Sequence, residues 1–315
     1  MSASMPGQPP RSHLYVPADQ PRFLRAAPRS GADALILDLE DAVAPSRKDG
    51  ARAAAVAFAE EHTAGGPELW VRINEGARGR DDARALLATG RVDGLWMPKA
   101  TAGADLDALI ALAATAPEVA LGLLVESATG VLSLADTAGR AGVRHLQLGE
   151  VDLRADLRMA PDSAPGDHLL DWARGLTVAH TAAHGLVSAV APVSVHTSDP
   201  GAFRTSSLRL HGLGFQGRAC IHPAQVAVAN EVFGVDPGEL ADAHALLDLF
   251  EHRVDAGSGA FRDSGGAMVD AATVRRAREL TGRADRTDRT GQAGRTGRTG
   301  QAGRTGRTGQ AGRTA

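Results

Sequence analysis

Apolar residues in this chain come in short unbroken runs, each closing on polar or charged side chains. Such runs occupy His13–Ala18, Ala34–Asp41, Leu69–Glu75, Gly94–Ala100, Leu121–Ser127, His145–Asp152, Leu186–Ser194 and Gly217–Pro223. A strand buried on both faces, as in a parallel sheet, produces this pattern. Between most of the runs lie Ala- and Leu-rich stretches with amphipathic helical spacing, among them Asp81–Thr89, Ala104–Ala114, Gly130–Ala141 and Leu169–His184. Strands alternating with helices imply βαβ units. Eight units imply a closed (β/α)8 TIM barrel more than an open sheet. A helical region over Pro223–Val254 and a short helix over Ala271–Leu280 follow, as extra elements that cap the barrel or reach a neighbouring subunit.

The pattern divides the chain into a flexible start over 1–10, a barrel domain with a helical extension over 11–280, and a tail over 281–315. The tail repeats Gly-Gln-Ala-Gly-Arg-Thr-Gly-Arg-Thr from Gly291 and again from Gly300. With no apolar face to bury, it is expected to be disordered. At 315 residues, 43% of them hydrophobic, the chain can build a large core. Aromatics are only 3%, so Ala, Leu and Val must fill it. A net charge of −3 gives no global basic field, and nucleic acid is not an expected partner. The single cysteine, Cys220, excludes an intramolecular disulfide and fits a cytoplasmic protein. Neither a signal peptide nor a membrane span is visible.

Barrel chemistry gathers at the C-terminal ends of the strands, and there the ionisable groups concentrate. The ends carry Asp38, Glu40 and Asp41, then Arg72 with Asn74, then Lys99, Glu126, Glu150 with Asp152, and His222. Clustered carboxylates repel unless a cation neutralises them. No Cys/His set of the zinc type is present. Hard oxygen donors favour Mg2+, and Glu126 and Asp152, from adjacent strand ends, are the expected ligands. Such an ion would polarise the carbonyl of a keto acid. A strand-end acid taken singly also reads as a cap or salt-bridge partner, as Asp38 and Asp41 could be. Lys99 could pair with a carboxylate, Arg72 could be an interior counter-ion, and His222 could be structural.

The same residues carry a family resemblance. Arg11-Ser12-His13-Leu14-Tyr15-Val16-Pro17 and Gly31-Ala32-Asp33-Ala34-Leu35-Ile36-Leu37-Asp38-Leu39-Glu40-Asp41-Ala42-Val43 resemble motifs of the citrate lyase β-subunit-like CoA-ester lyases, within the HpcH/HpaI aldolase superfamily. Val71–Asn74, Met97–Lys99, Val125–Ser127, Cys220–Gln225 and Ala267–Asp270 follow in the family's order, so the resemblance spans Arg11 to Leu280. It implies a TIM barrel, assembled as a homotrimer or hexamer, that makes or breaks a carbon–carbon bond between a 2-oxo acid and an acyl-CoA. It implies Mg2+ on Glu126 and Asp152, and Arg72 at the substrate carbonyl or developing enolate. Glu40 and Asp41 would lie near the metal's waters, and Asp270 would complete a neighbouring subunit's site.

For the coenzyme A thioester, basic groups near the first two strands, Arg11, Arg22, Arg25 and Lys48, are the expected groove, with His222 added from the last strand end. Two departures stand out. The family's Gly-Ala-Glu-Asp-Leu reads Gly149-Glu150-Val151-Asp152-Leu153, so Val151 replaces an acid. Glu150, one place earlier on a strand, would point to the opposite face. The stretch Pro192–Thr197 also lacks an acid that relatives often carry there. Other readings are a CoA-independent pyruvate-type aldolase, a catalytically impaired binder of keto acid and CoA, and an RNA-associating protein acting through the tail.

Overall fold

The structure is a computed structural model and describes residues 9–63, 65–160, 164–254, 261–262 and 268–282. The chain divides into two compact units, Met1–Gly234 and Val235–Ala315. The expected flexible start lies largely outside the described residues, as does the repetitive tail beyond residue 282.

Unit one is the barrel. Its strands are β1 (Ser12–Pro17), β2 (Ala34–Asp38), β3 (Glu68–Arg72), β4 (Gly94–Met97), β5 (Ala120–Val125), β6 (Val143–Leu148), β7 (Ser188–Ala191) and β8 (Gly217–Cys220). Every neighbouring pair is parallel, and β1 pairs β8 through Ser12–Arg218, so the sheet closes. The eight apolar runs are therefore eight barrel strands, as their pattern implies. The runs overshoot at their C-terminal ends, however. Glu40, Asp41, Lys99 and Glu126 lie just beyond their strands, in the loops that form the barrel's upper face.

Around the barrel run α1 (Pro21–Ala26), α2 (Lys48–Glu61), α3 (Gly76–Leu87), α4 (Ala104–Ala113), α5 (Ala128–Leu132), α6 (Leu134–Thr137), α7 (Glu150–Asp156), α8 (Ala164–Ala183), α9 (Pro200–Gly212) and α10 (Pro223–Val232). The helix expected over Gly130–Ala141 is two short ones. Ser127 caps the first by accepting from the Gly130 N–H, and the chain breaks at Ser133. α3 starts earlier than its apolar spacing suggests. It buries Gly79, Asp82, Ala83 and Leu86, and buried Asp82 accepts from both the backbone and side-chain nitrogens of Asn74.

Two apolar layers hold the barrel. The larger lies between strands and helices; the smaller fills the interior with Ala34, Ile36, Trp70, Trp96, Val190 and Ala219. The two indoles need room. A Cβ on Gly94 would sit 2.1 Å from the Trp70 ring, and one on Gly122 would sit 2.4 Å from the Trp96 ring. Large and small positions thus interlock within the interior layer. Below the site the same core holds two buried histidines. Burial lowers His13 to about 4 and His145 to about 3, so both stay neutral.

Unit two holds α11 (Pro237–Val254), the antiparallel pair β9 (Phe261–Arg262) and β10 (Met268–Val269), and a helix over 271–282. The single helical region expected over Pro223–Val254 is thus two helices, α10 and α11. No described helix is long and apolar enough to cross a membrane.

Candidate functional site

The loop after β2 brings its acids onto Arg72, the last residue of β3. Arg72 Nε and Nη2 donate to the two carboxylate oxygens of Asp38, at 2.8 and 2.6 Å. Its Nη1 lies 3.0 Å from Glu40 Oε2 and 3.1 Å from Asp41 Oδ2. Asp38 also accepts from the backbone N–H groups of Glu40 and Ala42, which sets the shape of the loop. Planar bidentate pairing of this kind fixes orientation as well as charge. The Tyr15 ring faces the guanidinium at 5.2 Å, and its hydroxyl donates to Gln147. Burial opposes the Arg72 charge, but the hydrogen-bonded Asp38 outweighs it and holds the guanidinium protonated.

Lys99 ties this cluster to the next strand end. Its backbone, at φ 46°, is in the left-handed region, uncommon outside glycine. In that conformation its N–H donates to Glu126 Oε1 at 2.7 Å. Its ammonium reaches Glu40 at 3.2 Å and also pairs with Glu75. Burial raises Glu40 to about 7, helped by its contact with Asp41 and opposed by Arg72 and Lys99. Asp41 is held low: burial is overridden by its contact with Glu40 and by the charges of Arg72 and Lys99.

Glu126 is only 3% exposed. Burial pushes it up to about 8, and the charges of Asp152 and Glu40 add to the rise. Gly149 makes its position possible. A Cβ there would lie 2.6 Å from Glu126 Cβ and 2.8 Å from its Oε2. Asp152 stands on the first turn of α7, exposed. Glu126, Asp152, Asp38, Asp41, Arg72, Tyr15 and Gln147 line one cavity of about 480 Å³ at the C-terminal ends of the strands.

This donor set fits magnesium. It offers two carboxylates, Glu126 just past the end of β5 and Asp152 on the first turn of α7, and room for further oxygens, and Mg2+ commonly takes one or two carboxylates with waters and substrate oxygens. A cation held there would also offset the burial that raises Glu126 and the repulsion from Asp152 that adds to it. Among the described residues no group of three or more His, Cys, Asp and Glu side chains is placed to enclose a metal.

Residues 11–223 match the HpcH/HpaI aldolase/citrate lyase family. The chain belongs to this family. It is 32% identical to the L-malyl-CoA/beta-methylmalyl-CoA lyase of Rhodobacter capsulatus, over 87% of this chain and 94% of that one. It is 33% identical to a (3S)-malyl-CoA thioesterase of Cereibacter sphaeroides, over 87% and 93%. Among solved structures it resembles the protein CitE of Mycobacterium tuberculosis in complex with magnesium, acetoacetate and coenzyme A. That match has a TM-score of 0.71 at 29% identity and covers 89% of this chain and 98% of the other. The family, the fold and the lyase class expected from the motifs are those found.

Within this family frame, the expected site residues fall into two groups. Glu40, Asp41, Arg72, Glu126 and Asp152 come together at one end of the barrel. The proposed CoA groove does not assemble as a unit. Arg11 precedes β1, at the opposite end of the barrel, where Asp33 holds it at 2.7 and 2.9 Å. Arg25 lines a separate groove between α1 and α2 with Glu61 and His62. Lys48 is near the site, but its ammonium donates to Leu39 O, Glu40 O and Asn74, so it braces the acidic loop. His222 caps α10: its Nδ1 accepts from the Ala224 N–H while Gln225 accepts from the His222 N–H. Arg22, exposed on the first turn of α1, remains on the site side, directly after β1.

Asp270 lies in unit two and caps the helix over 271–282, accepting from Ala272 N, Thr273 N and the Thr273 hydroxyl. These bonds to Thr273 hold its carboxyl low. Glu150 requires a correction. It opens α7 and is not on a strand, so one residue means a turn of about 100° and not a reversal. It lines the cavity and pairs with Arg174 at 2.6 and 2.7 Å. Tyr15, Gln147 and Gly149 were not singled out from sequence. Their signal is pleat parity: Tyr15 lies two residues beyond His13, and Gln147 two beyond His145, all four on the interior face.

Proposed function

We propose that this chain is a magnesium-dependent carbon–carbon lyase. It cleaves a 3-hydroxyacyl-CoA of the malyl-CoA or citryl-CoA type to a 2-oxo acid and an acyl-CoA, or runs the reverse condensation. The observation that carries this is the convergence of Glu126 and Asp152 on one cavity beside the anchored guanidinium of Arg72. The named activities of the malyl-CoA lyase relative and the magnesium and coenzyme A of the CitE complex support it.

Glu126 and Asp152 would hold the ion, which supplies Lewis-acid polarisation of the substrate's oxygens. In cleavage the hydroxyl proton leaves, the C–C bond breaks, and its electron pair becomes a thioester enolate. Glu40, raised to about 7 and set behind the cavity on Arg72, Lys99 and the Asp41 N–H, is suited to take up that proton through a water near neutral pH. Arg72 faces the enolate oxygen with a charge already fixed in place by Asp38, as preorganised stabilisation requires. Asp41 is its exposed partner, the one a substrate oxygen can replace. Asp41 and Glu40 also orient water. Asp270 of a neighbouring subunit, in a homotrimer or hexamer, would remove the α-proton in condensation, for which its low, charged carboxylate is suited, and return that proton to the enolate carbon in cleavage. Light scattering on the purified chain tests the assembly.

The deciding assay offers malyl-CoA, citryl-CoA and related thioesters with Mg2+ and reads 2-oxo acid and free CoA separately. Oxo acid without free CoA establishes the lyase. Free CoA establishes hydrolysis instead, the second reading, which the thioesterase relative favours. Neither product overturns both. Glu126→Gln should weaken Mg2+ binding at least about tenfold by calorimetry and abolish turnover. Unchanged turnover of that variant in chelator-treated buffer would refute the metal role.

A further inference from the structure

One wall of the catalytic cavity is aliphatic, and no step above uses it. Val151, Val193 and Ile221 stand on it. Val151 is 53% exposed and Ile221 42%. Large aliphatic side chains left wet inside a concavity gain stability when a ligand covers them. Val151 adjoins Asp152 in the first turn of α7, so this wall begins next to a carboxylate proposed to hold the metal ion.

The wall also leads somewhere. Val151 and Val193 line a second cavity of about 590 Å³, whose lining includes Met159 and Leu210 beside four arginines. Of these, Arg154, Arg174 and Arg209 are paired with acids, and Arg218 donates to Pro192 O and to the hydroxyls of Ser206 and Ser207. Glu150 is common to both cavities, and its carboxylate is tied up by the bidentate pair with Arg174. The boundary therefore consists of two aliphatic side chains and a neutralised acid. A bare two-carbon oxo acid would leave this wall uncovered.

We propose that the 2-oxo acid handled by this enzyme carries an aliphatic substituent. That substituent would lie across Val151 and Val193 and extend toward the second cavity. The inference rests on the reading that the oxo acid binds at a magnesium ion held by Glu126 and Asp152. At the usual gain for burying a methylene, affinity should rise about fourfold for each one added, until the passage is filled.

The test is calorimetric titration of the full chain, with Mg2+ present, against glyoxylate, pyruvate, 2-oxobutanoate and 2-oxopentanoate. The expected result is a stepwise gain of about fourfold per methylene from pyruvate onward. Val151→Ser and Val193→Ser should each compress the ratio between 2-oxopentanoate and pyruvate to a few-fold, with melting curves confirming that the variants fold. Equal affinities, or weakening beyond pyruvate, overturn the proposal while leaving the lyase reading intact. Mg2+ binding with no oxo-acid binding overturns both. A length dependence that appears only with acyl-CoA thioesters, and is lost in Val151→Ser, also overturns the assignment, because the wall then serves the acyl fragment.

Discussion

At the scale of single residues, the site is held by charge balance around Arg72. Its guanidinium neutralises Asp38 and Glu40, both buried. Replacing it with Met would leave two acids buried side by side. Breaking a buried pair by deleting one partner costs about 3–5 kcal/mol. Arg72→Met should therefore lower the urea midpoint of the metal-free protein, and an unshifted midpoint would show that the cluster is not a structural unit. The charged members were legible in the sequence because ionisable residues end so many otherwise apolar runs. Their partners were partly legible: Lys99 and Asp38 could be read as ion-pair residues, and that is how they bond. The neutral members were not. Tyr15 and Gln147 sit inside runs whose continuity hides which positions face inward, and Gly149 matters only because Glu126 folds against it. Arg11 looked like an anion-binding residue by its place in the chain. Strand direction puts it at the far end, where Asp33 occupies it.

At the scale of elements, the barrel's interior layer depends on paired sizes. Gly94 is small because the Trp70 indole occupies the space a Cβ would take. Gly94→Ala should destabilise the protein by about 1–3 kcal/mol through overpacking. Trp70→Leu in the same chain should recover part of the loss, since touching sites couple. Additive effects in thermal or urea unfolding would contradict this fit. Element boundaries were the least legible feature. The strand runs extend past the strand bounds because Leu39, Ile73 and Ala100 stay buried there and each still donates one backbone hydrogen bond to the neighbouring strand, to Arg72 O, Trp96 O and Leu124 O. Apolar continuity reports burial, and burial does not stop where the regular strand does. The same confusion put Glu150 on a strand when it begins a helix.

At the scale of the whole molecule, stability depends on pH through acids held neutral by folding. Glu68 opens β3, and burial raises it to about 7, with Asp93 and Asp33 adding to the rise. Between its ordinary value of 4.5 and about 7 the folded chain binds more protons than the unfolded one. Stability therefore falls as pH rises through that window. Glu68→Gln should gain about 1–3 kcal/mol over the wild type at pH 8 and nothing at pH 4, read from urea unfolding at both values. Equal effects at the two values would show that Glu68 ionises freely. The barrel's closure was legible because eight alternations leave few other architectures. The partition into Met1–Gly234 and Val235–Ala315 was not, because a helix-rich extension has the same composition and period as the barrel's own helices.

The raised carboxyl of Glu126 has a thermodynamic corollary. At neutral pH most of it carries a hydrogen ion, which a divalent cation held by the proposed ligands would have to displace. Metal and proton would then be rivals for one oxygen pair. Calorimetric heats of Mg2+ uptake at pH 7 should vary with the ionisation enthalpy of the buffer, with a slope approaching one released proton, and the apparent affinity should climb as the solution is made alkaline. A slope of zero would mean that the site is already charged and waiting.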